Sequence, residues 1–309
     1  MITMSSRELR DRVNDLRAER TPFVLATVVR AERPTSAKPG DCAVVLPDGT
    51  IDGFVGGACA ESTVRLEGLR LLRAGESELL RITPDADTGE TVEGLRTVGN
   101  PCLSGGTLEI FLESMVPPTM VAVFGDAPVA RALAQVGRAL DYDVRIGTDP
   151  AAPIAPDTGA VVVASHGRDE APVLRAALAA GVPYIGLVAS GRRADGVRAE
   201  LAVLGVPDEE IARVSSPAGL DIGSRGAPEI ALSVFAEMVA ARAGDRPVTA
   251  PAPVPAPEPP ATAAVDPVCG MAVAPVPASP SVLHGGRTYW FCGSGCRQAF
   301  ADDPSRFAG

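Results

Sequence analysis

Lysine, histidine and aromatic residues are scarce in this 309-residue chain. Lys38 is the only lysine, His166 and His284 are the only histidines, and aromatic residues make up 4% of the sequence. The net charge is −10 at pH 7. A chain of this charge lacks the basic surface that general binding to nucleic acid or to anionic membranes requires, so neither is expected as a partner.

Targeting segments and long apolar runs are also missing. Residues 1–20 contain no apolar stretch of the kind found in signal peptides. No run approaches the roughly 18 apolar residues that a membrane span needs. We therefore expect a cytoplasmic protein whose six cysteines are reduced and serve as ligands, nucleophiles or core residues. The sequence also has no P-loop, no HExxH motif and no Ser/His/Asp set, which excludes the common phosphotransferase and hydrolase classes.

Proline marks the clearest domain boundary. Seven of the eighteen residues in 247–264 are proline, which predicts an extended linker. The following residues, 265–309, are too few to bury a self-sufficient core, so this unit should need a metal or a partner to fold. A second boundary falls near the proline pair at 117–118, which separates a domain at 1–116 from one at 117–246.

The predicted fold class is α/β. In residues 1–116 the hydrophobic pattern predicts helices and strands of an α+β domain, and in 117–246 it alternates strand with helix. Such alternation predicts βαβ units in a Rossmann-like parallel sheet that helices cover on both faces. The predicted helices are 5–19, 60–74, 128–140, 170–180, 191–204 and 229–242. The predicted strands are 23–30, 42–46, 51–55, 108–112, 120–124, 143–146, 160–164 and 183–188.

Two glycine-rich turns in the first domain each carry a cysteine. Paired glycines let the backbone approach a ligand closely and point successive N–H groups at an anion. Cys59 precedes the predicted helix 60–74, where the helix field favours a thiolate. Each cysteine could instead be a small core residue beside a tight turn, and Cys42, within an apolar strand, is predicted to be one. The candidate residues are Gly56, Gly57, Cys59, Cys102, Ser104 and Gly105.

These turns, together with Ala26–Arg30, Lys38–Gly40 and Pro217–Gly223, resemble the XdhC/CoxI family, the accessory factors of xanthine dehydrogenase and carbon monoxide dehydrogenase. The resemblance implies binding of the molybdenum cofactor, as molybdopterin or its dinucleotide, and delivery to a molybdenum hydroxylase after sulfuration. It implies a non-enzymatic maturation factor, and it leaves open a cysteine desulfurase as a partner and a homodimer as the assembly. The resemblance ties Cys59 to cofactor handling, although Ala58 separates this cysteine from the paired glycines.

A partial dinucleotide fingerprint opens the second domain. Gly125 follows a predicted strand, but Ala127 replaces the glycine that approaches a pyrophosphate. Asp126 is predicted to cap the helix that follows. Asp149 stands where a ribose-binding acid would, and His166 ends a predicted strand at the edge where such sheets bind ligands. The pattern leaves open a pterin dinucleotide or another nucleotide, NAD(P), and a scaffold without a nucleotide.

Three cysteines lie in the last unit. Cys292 and Cys296 have a spacing that can place both sulfurs at one helix start, and Cys269 lies in a separate tight turn. The segments Asp266–Met271 and Tyr289–Cys296 resemble a YHS domain, which implies a metal-binding unit with Cys269, Cys292 and Cys296 as ligands. Thiolates favour zinc or copper. His284 is a weaker candidate for a fourth ligand, and the thiols could instead be unused beside a small aromatic core.

Three functions therefore compete at this point. The first is a chaperone that sulfurates or inserts the molybdenum cofactor. The second is an NAD(P)-dependent oxidoreductase acting on the Rossmann-like domain. The third is a metal-trafficking protein acting through the last unit.

Overall fold

The structure is a computed structural model that describes residues 5–84, 91–92, 94–100, 106–244 and 263–307. The chain divides into two compact units. The first combines residues 1–117 with 255–309, and the second comprises residues 118–254. Within the described ranges, no helix is both long enough and apolar enough to cross a membrane.

The N-terminal part of the first unit is a seven-stranded mixed sheet with two helices. The strand order is β3-β2-β1-β7-β4-β6-β5, and every neighbouring pair is antiparallel except β4 and β6. The elements are α1 (Ser6–Ala18), β1 (Phe23–Glu32), β2 (Cys42–Val45), β3 (Ile51–Gly53), α2 (Ala58–Ala74), β4 (Glu78–Thr83), β5 (Thr91–Val92), β6 (Leu95–Gly99) and β7 (Thr107–Met115).

Alternation along β1 divides its side chains between the two faces of this sheet. Val24 and Ala26 pack in the cluster that includes Val64 of α2. Phe23 packs on the other face, in the cluster that includes Leu16 of α1. The sheet is therefore covered by one helix on each side, and the carboxyl end of β3 leads directly into the start of α2.

The second unit is a five-stranded parallel sheet in the order β12-β11-β10-β8-β9. One face carries a core with Leu133 of α3 and Phe235 of α7, and the other carries a core with Leu174 of α4 and Leu201 of α5. The predicted α/β class, with a doubly covered parallel sheet, is confirmed. The elements are β8 (Met120–Phe124), α3 (Pro128–Ala139), β9 (Asp143–Gly147), β10 (Thr158–Val163), α4 (Glu170–Ala179), β11 (Tyr184–Leu187), α5 (Gly191–Val203), α6 (Asp208–Ile211), β12 (Val214–Ser215) and α7 (Ala227–Gly244).

Residues 263–307, which we call the tail, form two short antiparallel strand pairs and two helices. Phe300 is fully buried, with ring centroids 4.7 Å from Tyr289 and 5.3 Å from Phe291. The tail also packs on α2, since Val276 is buried in a cluster with Leu69. The partner that so small a unit needs is thus the N-terminal domain. The elements are β13 (Ala264–Val265), β14 (Ala272–Val273), β15 (Ser281–His284), β16 (Arg287–Trp290), α8 (Ser294–Asp302) and α9 (Pro304–Phe307).

Candidate functional site

The turn before α2 presents Cys59 at the second position of the helix. Gly56 has a φ of +139°, and a Cβ there would lie 3.1 Å from the Cβ of Ala60. Gly57 is the N-cap of α2 and has no side chain with which to cap it. The first N–H groups of this 17-residue helix therefore lack a side-chain cap from Gly57, and the half-buried Cys59 thiol lies beside them.

The second glycine-rich turn lies mostly outside the described residues. Cys102, Ser104 and Gly105 are among those not described, so their predicted role in cofactor binding stays a prediction. The residues on either side are fixed in the sheet. The N–H of the buried Asn100 donates to the carbonyl of Thr83 at 2.9 Å.

The three tail cysteines that the sequence predicted as metal ligands are brought together. The Sγ atom of Cys292 lies 3.6 Å from that of Cys269 and 3.6 Å from that of Cys296. Together with a carboxylate oxygen of Asp266, the three sulfur atoms lie within 4.8 Å of one another. This group, which we call the thiol cluster, offers the sulfur donors that a soft metal ion prefers.

Asp266 holds the thiol cluster in place, and the sequence analysis did not single it out. Its carboxylate is fully buried, and one oxygen accepts from the N–H groups of Val268 (2.9 Å) and Cys269 (3.4 Å). The other oxygen accepts from the N–H of Cys292 at 2.8 Å. One side chain thus joins the turn of Cys269 to the start of α8. An aspartate that opens a tight turn ahead of a cysteine was the available sequence signal.

The thiols of the cluster are neutral at pH 7 without a metal ion. Burial raises the pKa of Cys269, and it raises the pKa of Cys296 to about 12. Hydrogen bonding to Cys59, together with burial, raises the pKa of Cys292. Because thiolates are the ligating form, a metal ion must displace these protons when it binds.

Cys59 lies against the thiol cluster, an arrangement that the sequence analysis missed. Its side chain packs against the cluster that contains Met271 and Cys292. Close by, a Cβ on Gly293, the N-cap of α8, would lie 3.0 Å from the Cβ of Ala58. The starts of α2 and α8 therefore meet, and the predicted cofactor cysteine and the predicted metal ligands form one site.

His284, the weaker candidate for a fourth ligand, and Cys42, which was predicted to be a core residue, both lie outside this site. The His284 ring packs edge-on against Phe300, with centroids 5.9 Å apart, and it does not belong to the thiol cluster. Cys42 is half-buried beside the core under α1, and its Sγ atom lies 3.2 Å from the carbonyl oxygen of Gly40. Cys42 therefore takes no part in the thiol cluster, and its substitution is a control for the substitution of Cys59.

Gly125 allows two strand ends of the second unit to approach closely. Its φ is +124°, and a Cβ there would lie 2.3 Å from the carbonyl oxygen of Ala164. Its N–H donates to the carbonyl of Gly147 at 2.9 Å, so that donor is engaged within the fold. The predicted capping role of Asp126 is wrong. Ala127 is the N-cap of α3, and the Asp126 carboxylate pairs instead with Arg168.

Asp149 and His166 lie in loops at the carboxyl edge of the same sheet. The Asp149 carboxylate accepts from the N–H of Ala151 at 2.9 Å, so it stabilises its own turn. His166 is exposed and has a φ of +55°. Its loop is held by a hydrogen bond from the N–H of Gly167 to Glu170 at 2.8 Å. The position of His166 at the carboxyl edge of the sheet is where parallel sheets bind ligands, while its contact with a nucleotide stays a prediction.

Three family models match the chain. The model described as the XdhC and CoxI family matches residues 16–83, and the one described as the XdhC Rossmann domain matches residues 121–238. The model described as the YHS domain matches residues 264–309.

Curated relatives match the chain over different lengths. The uncharacterized protein YqeB of Escherichia coli K12 is 27% identical over 72% of this chain, which spans only 44% of the length of YqeB. The molybdenum cofactor insertion chaperone PaoD of the same organism is 26% identical over 71% of this chain and 83% of PaoD. A copper-transporting P-type ATPase of Rhizobium leguminosarum is 50% identical over 42 residues, which are 14% of this chain and 5% of the ATPase.

One solved structure, described as a xanthine dehydrogenase from Bacillus halodurans, aligns with 77% of this chain and 96% of that chain. The sequence identity is 17% and the TM-score is 0.36, a likeness too weak to support an argument.

Proposed function

Because the chain belongs to the XdhC and CoxI family and carries a YHS domain, we propose that it binds the molybdenum cofactor and inserts it into a molybdenum enzyme. The observation that carries this proposal is the turn that places Cys59 beside the start of α2. The likeness to PaoD, described as a molybdenum cofactor insertion chaperone, supports it over most of the length of that protein.

The residues at this turn fit the chemistry of the cofactor. Its phosphate suits the N–H groups at the start of α2, where the helix field favours an anion. Its soft metal suits the thiol of Cys59. Gly56 keeps the turn open, because its φ of +139° is one that a larger residue would adopt only with strain. When bound, the cofactor supplies the redox-active metal centre that the client enzyme needs.

The client in this proposal is a molybdenum hydroxylase of the xanthine or carbon monoxide dehydrogenase type. Sulfuration before insertion would require a cysteine desulfurase as a second partner. A homodimer is the proposed assembly, and light scattering of the purified full chain tests it. Affinity capture of each candidate client by the cofactor-loaded chain tests the choice between the two enzyme types.

The experiment for cofactor binding compares two cysteine variants. Full-length protein is purified from a host grown with molybdate, and its pterin fluorescence and molybdenum content are measured. Cys59→Ser should lose the bound pterin, since serine is a hard, protonated ligand. In the presence of a chelator it should unfold at the wild-type urea concentration, since serine is nearly the same size. Cys42→Ser should keep the pterin. Stoichiometric pterin in folded Cys59→Ser protein would contradict the proposal.

Nicotinamide binding in the second unit is not favoured by the geometry. The N–H of Gly125 is already bonded to Gly147, and Asp126 places a carboxylate near the start of α3. We therefore expect NADH to bind no more tightly than about 1 mM, or about −4 kcal/mol. A fluorescence titration measures this affinity, and micromolar binding would favour the oxidoreductase hypothesis instead.

A second function, binding of a soft metal ion, is proposed for the tail. The 3.6 Å spacings from Cys292 to Cys269 and Cys296 support it, as does the likeness of this segment to part of a copper-transporting ATPase. Zinc and copper(I) are the candidate ions, because both accept thiolate ligands. Elemental analysis of the full chain and of Cys292→Ala distinguishes a resident metal from an adventitious one.

A further inference from the structure

We infer that Cys59 is the fourth thiolate of the metal site in the tail, so that a metal ion bound there withdraws Cys59 from the cofactor. The four-thiolate site rests on the packing of Cys59 against the cysteines of the thiol cluster, in which Asp266 is the fourth group within 4.8 Å. Its consequence for the cofactor rests on the proposed function.

The spacing of the sulfur atoms matches a tetrahedral thiolate site. Zinc binds thiolates at about 2.3 Å, which places neighbouring sulfur atoms about 3.8 Å apart. The two spacings measured from Cys292 are both 3.6 Å, so an ion can enter with little movement of the backbone. Closed sites of this kind have four ligands, and the tail contributes three cysteines.

Cys59 is a better fourth ligand than the alternatives in the tail. Both oxygens of Asp266 already accept backbone N–H bonds, and turning this carboxylate toward a metal ion would break the bonds that order Cys269 and Cys292. His284 packs against Phe300 instead. Cys59 packs against the cluster that contains Cys292, and it offers the same soft donor as the other three ligands.

The tail is packed so that Cys59 is kept at this position. Val276 is buried in a cluster with Leu69, which lies further along α2 than the cysteine. The same valine lies so close to Gly49 that a Cβ there would come within 2.6 Å of it. At the other end of the contact, the N-cap of α8 meets Ala58. Two separate contacts thus hold the tail against α2, and the second of them lies at the start of that helix.

The local field favours the charged form of such a site. Cys59 is at the second position of α2, and Cys296 is at the third position of α8. Each lies in a first helical turn, where the helix field stabilises a negative charge. Four thiolates around a divalent ion carry a net charge of −2, and two helix starts that converge on them partly offset it.

Metal binding and cofactor binding are therefore coupled. A thiolate bound in a closed four-ligand site is unavailable to a second metal centre, so the loaded tail opposes cofactor binding at Cys59. By linkage, the cofactor must weaken metal binding by the same factor. The tail then acts as a metal-dependent switch on the first domain.

Cobalt(II), a spectroscopic substitute for zinc, tests the four-thiolate site in the full chain. The charge-transfer absorption of bound Co²⁺ grows with the number of thiolates. Cys59→Ser should lose about a quarter of this absorption and bind Co²⁺ at least about tenfold more weakly, judging from the 10–100-fold losses seen for outer-shell ligand partners. Cys42→Ser should match the wild type in both measurements.

A second variant leaves Cys59 intact and moves the tail instead. Val276→Asp places a charge in the buried contact with Leu69, so it should also give the three-thiolate spectrum. Circular dichroism confirms that each variant is folded. An unchanged spectrum and affinity in folded Cys59→Ser would overturn the inference.

The coupling is tested with zinc and the pterin. Addition of zinc should lower the pterin affinity of the wild-type protein at least about tenfold relative to the metal-free protein. This factor matches the loss of metal affinity expected for Cys59→Ser. The zinc concentration needed for this effect should be at least about tenfold higher for Cys296→Ala, which lacks one ligand. Zinc-insensitive pterin binding in the wild type would overturn the coupling. Failure of the metal-free protein to bind pterin would overturn the proposed function and the coupling with it, while the cobalt spectra decide the metal site by themselves.

Discussion

Gly125 occupies a position that no other residue could fill without a change in the second unit. Its φ of +124° lies where side chains cause strain, and the space beside it is taken by the backbone of Ala164 and Ser165. Its place after β8 first suggested a phosphate turn. In the structure it lets the ends of β8 and β10 lie together.

Gly125→Ala should therefore destabilise the second unit. The left-handed conformation costs about 1–2 kcal/mol, and forcing a methyl group into packed backbone costs about 1–3 kcal/mol more. Urea unfolding followed by circular dichroism measures the sum. Gly196→Ala, at an exposed site inside α5 with nothing within 4 Å, should instead stabilise by about 0.5–1 kcal/mol. Equal effects from both variants would contradict this account.

Glu229, in the first turn of α7, makes a pH-dependent contribution to the stability of the fold. Its carboxylate accepts from the N–H groups of Arg225 (2.7 Å) and Gly226 (3.0 Å). These bonds favour the charged form and lower the pKa of Glu229. A carboxyl with a lowered pKa stabilises the fold above its unfolded value of about 4.3, and this contribution is lost as the pH falls through the lowered value.

The Glu229 carboxyl should thus titrate below about pH 4.3 in an NMR experiment. The amide protons of Arg225 and Gly226 should lose exchange protection over the same range. Glu229→Ala, which removes the acceptor, should show that loss at every pH. A titration midpoint of the Glu229 carboxyl at or above about pH 4.3 would show that the two hydrogen bonds do not form in solution.

At the scale of elements, one carboxylate joins two strands of the parallel sheet to its last helix. Glu237 of α7 accepts from the hydroxyl of Tyr184 in β11 (2.5 Å) and from the hydroxyl of Ser215 in β12 (2.5 Å). It also accepts from the N–H of Gly219 at 2.7 Å. Burial and the neighbouring carboxylate raise the pKa of Tyr184, so its hydroxyl stays a donor at physiological pH. This network fixes α7 against the edge of the sheet.

Tyr184→Phe should destabilise the second unit by about 1–3 kcal/mol, because a part-buried carboxylate loses a donor. Urea unfolding measures the loss. In a double-mutant cycle with Glu237→Gln, the two losses should be less than additive, since both variants weaken one network. Strict additivity would show that the hydroxyl and the carboxylate do not interact.

At the scale of the whole molecule, the two units have separate cores. The buried clusters of the first unit draw on the mixed sheet, α1, α2 and the tail, while those of the second lie on the two faces of the parallel sheet. The tail therefore belongs structurally to the first unit, although in the sequence the second unit separates the tail from the N-terminal part of the first unit.

Removal of residues 247–309 should affect the two units differently. The free energy of unfolding of the first unit should fall by about 2 kcal/mol, because Leu69 is no longer buried under Ala274 and Val276. The second unit keeps its core, so exchange protection in β8 to β12 should be unchanged. Hydrogen exchange followed by mass spectrometry reports each unit separately. Loss of protection in the parallel sheet would contradict this division.

Local pattern predicted many of the elements correctly. The helix expected at 5–19 is Ser6–Ala18, and the strand expected at 120–124 is Met120–Phe124, because periodicity and boundary residues act within a few neighbours. The strands Glu78–Thr83 and Leu95–Gly99 were missed. Their place in the sheet depends on pairing with each other and, for the first, with β7, which no local pattern specifies.

The sequence by itself determined the α/β class, the matched domains and the three clustered cysteines of the tail, since each is carried by a short motif or a local period. Only the tertiary structure decided that Cys59 lies against Cys292, that Asp266 joins the two cysteine turns, and that His284 stands apart. The physical reason is that these contacts join segments that are distant in the sequence. Asp266 meets Cys292 through the folding of the tail itself, and Cys59 meets the tail through the packing of Val276 on α2. That packing joins segments from opposite ends of the chain, and the residues near each cysteine do not encode it.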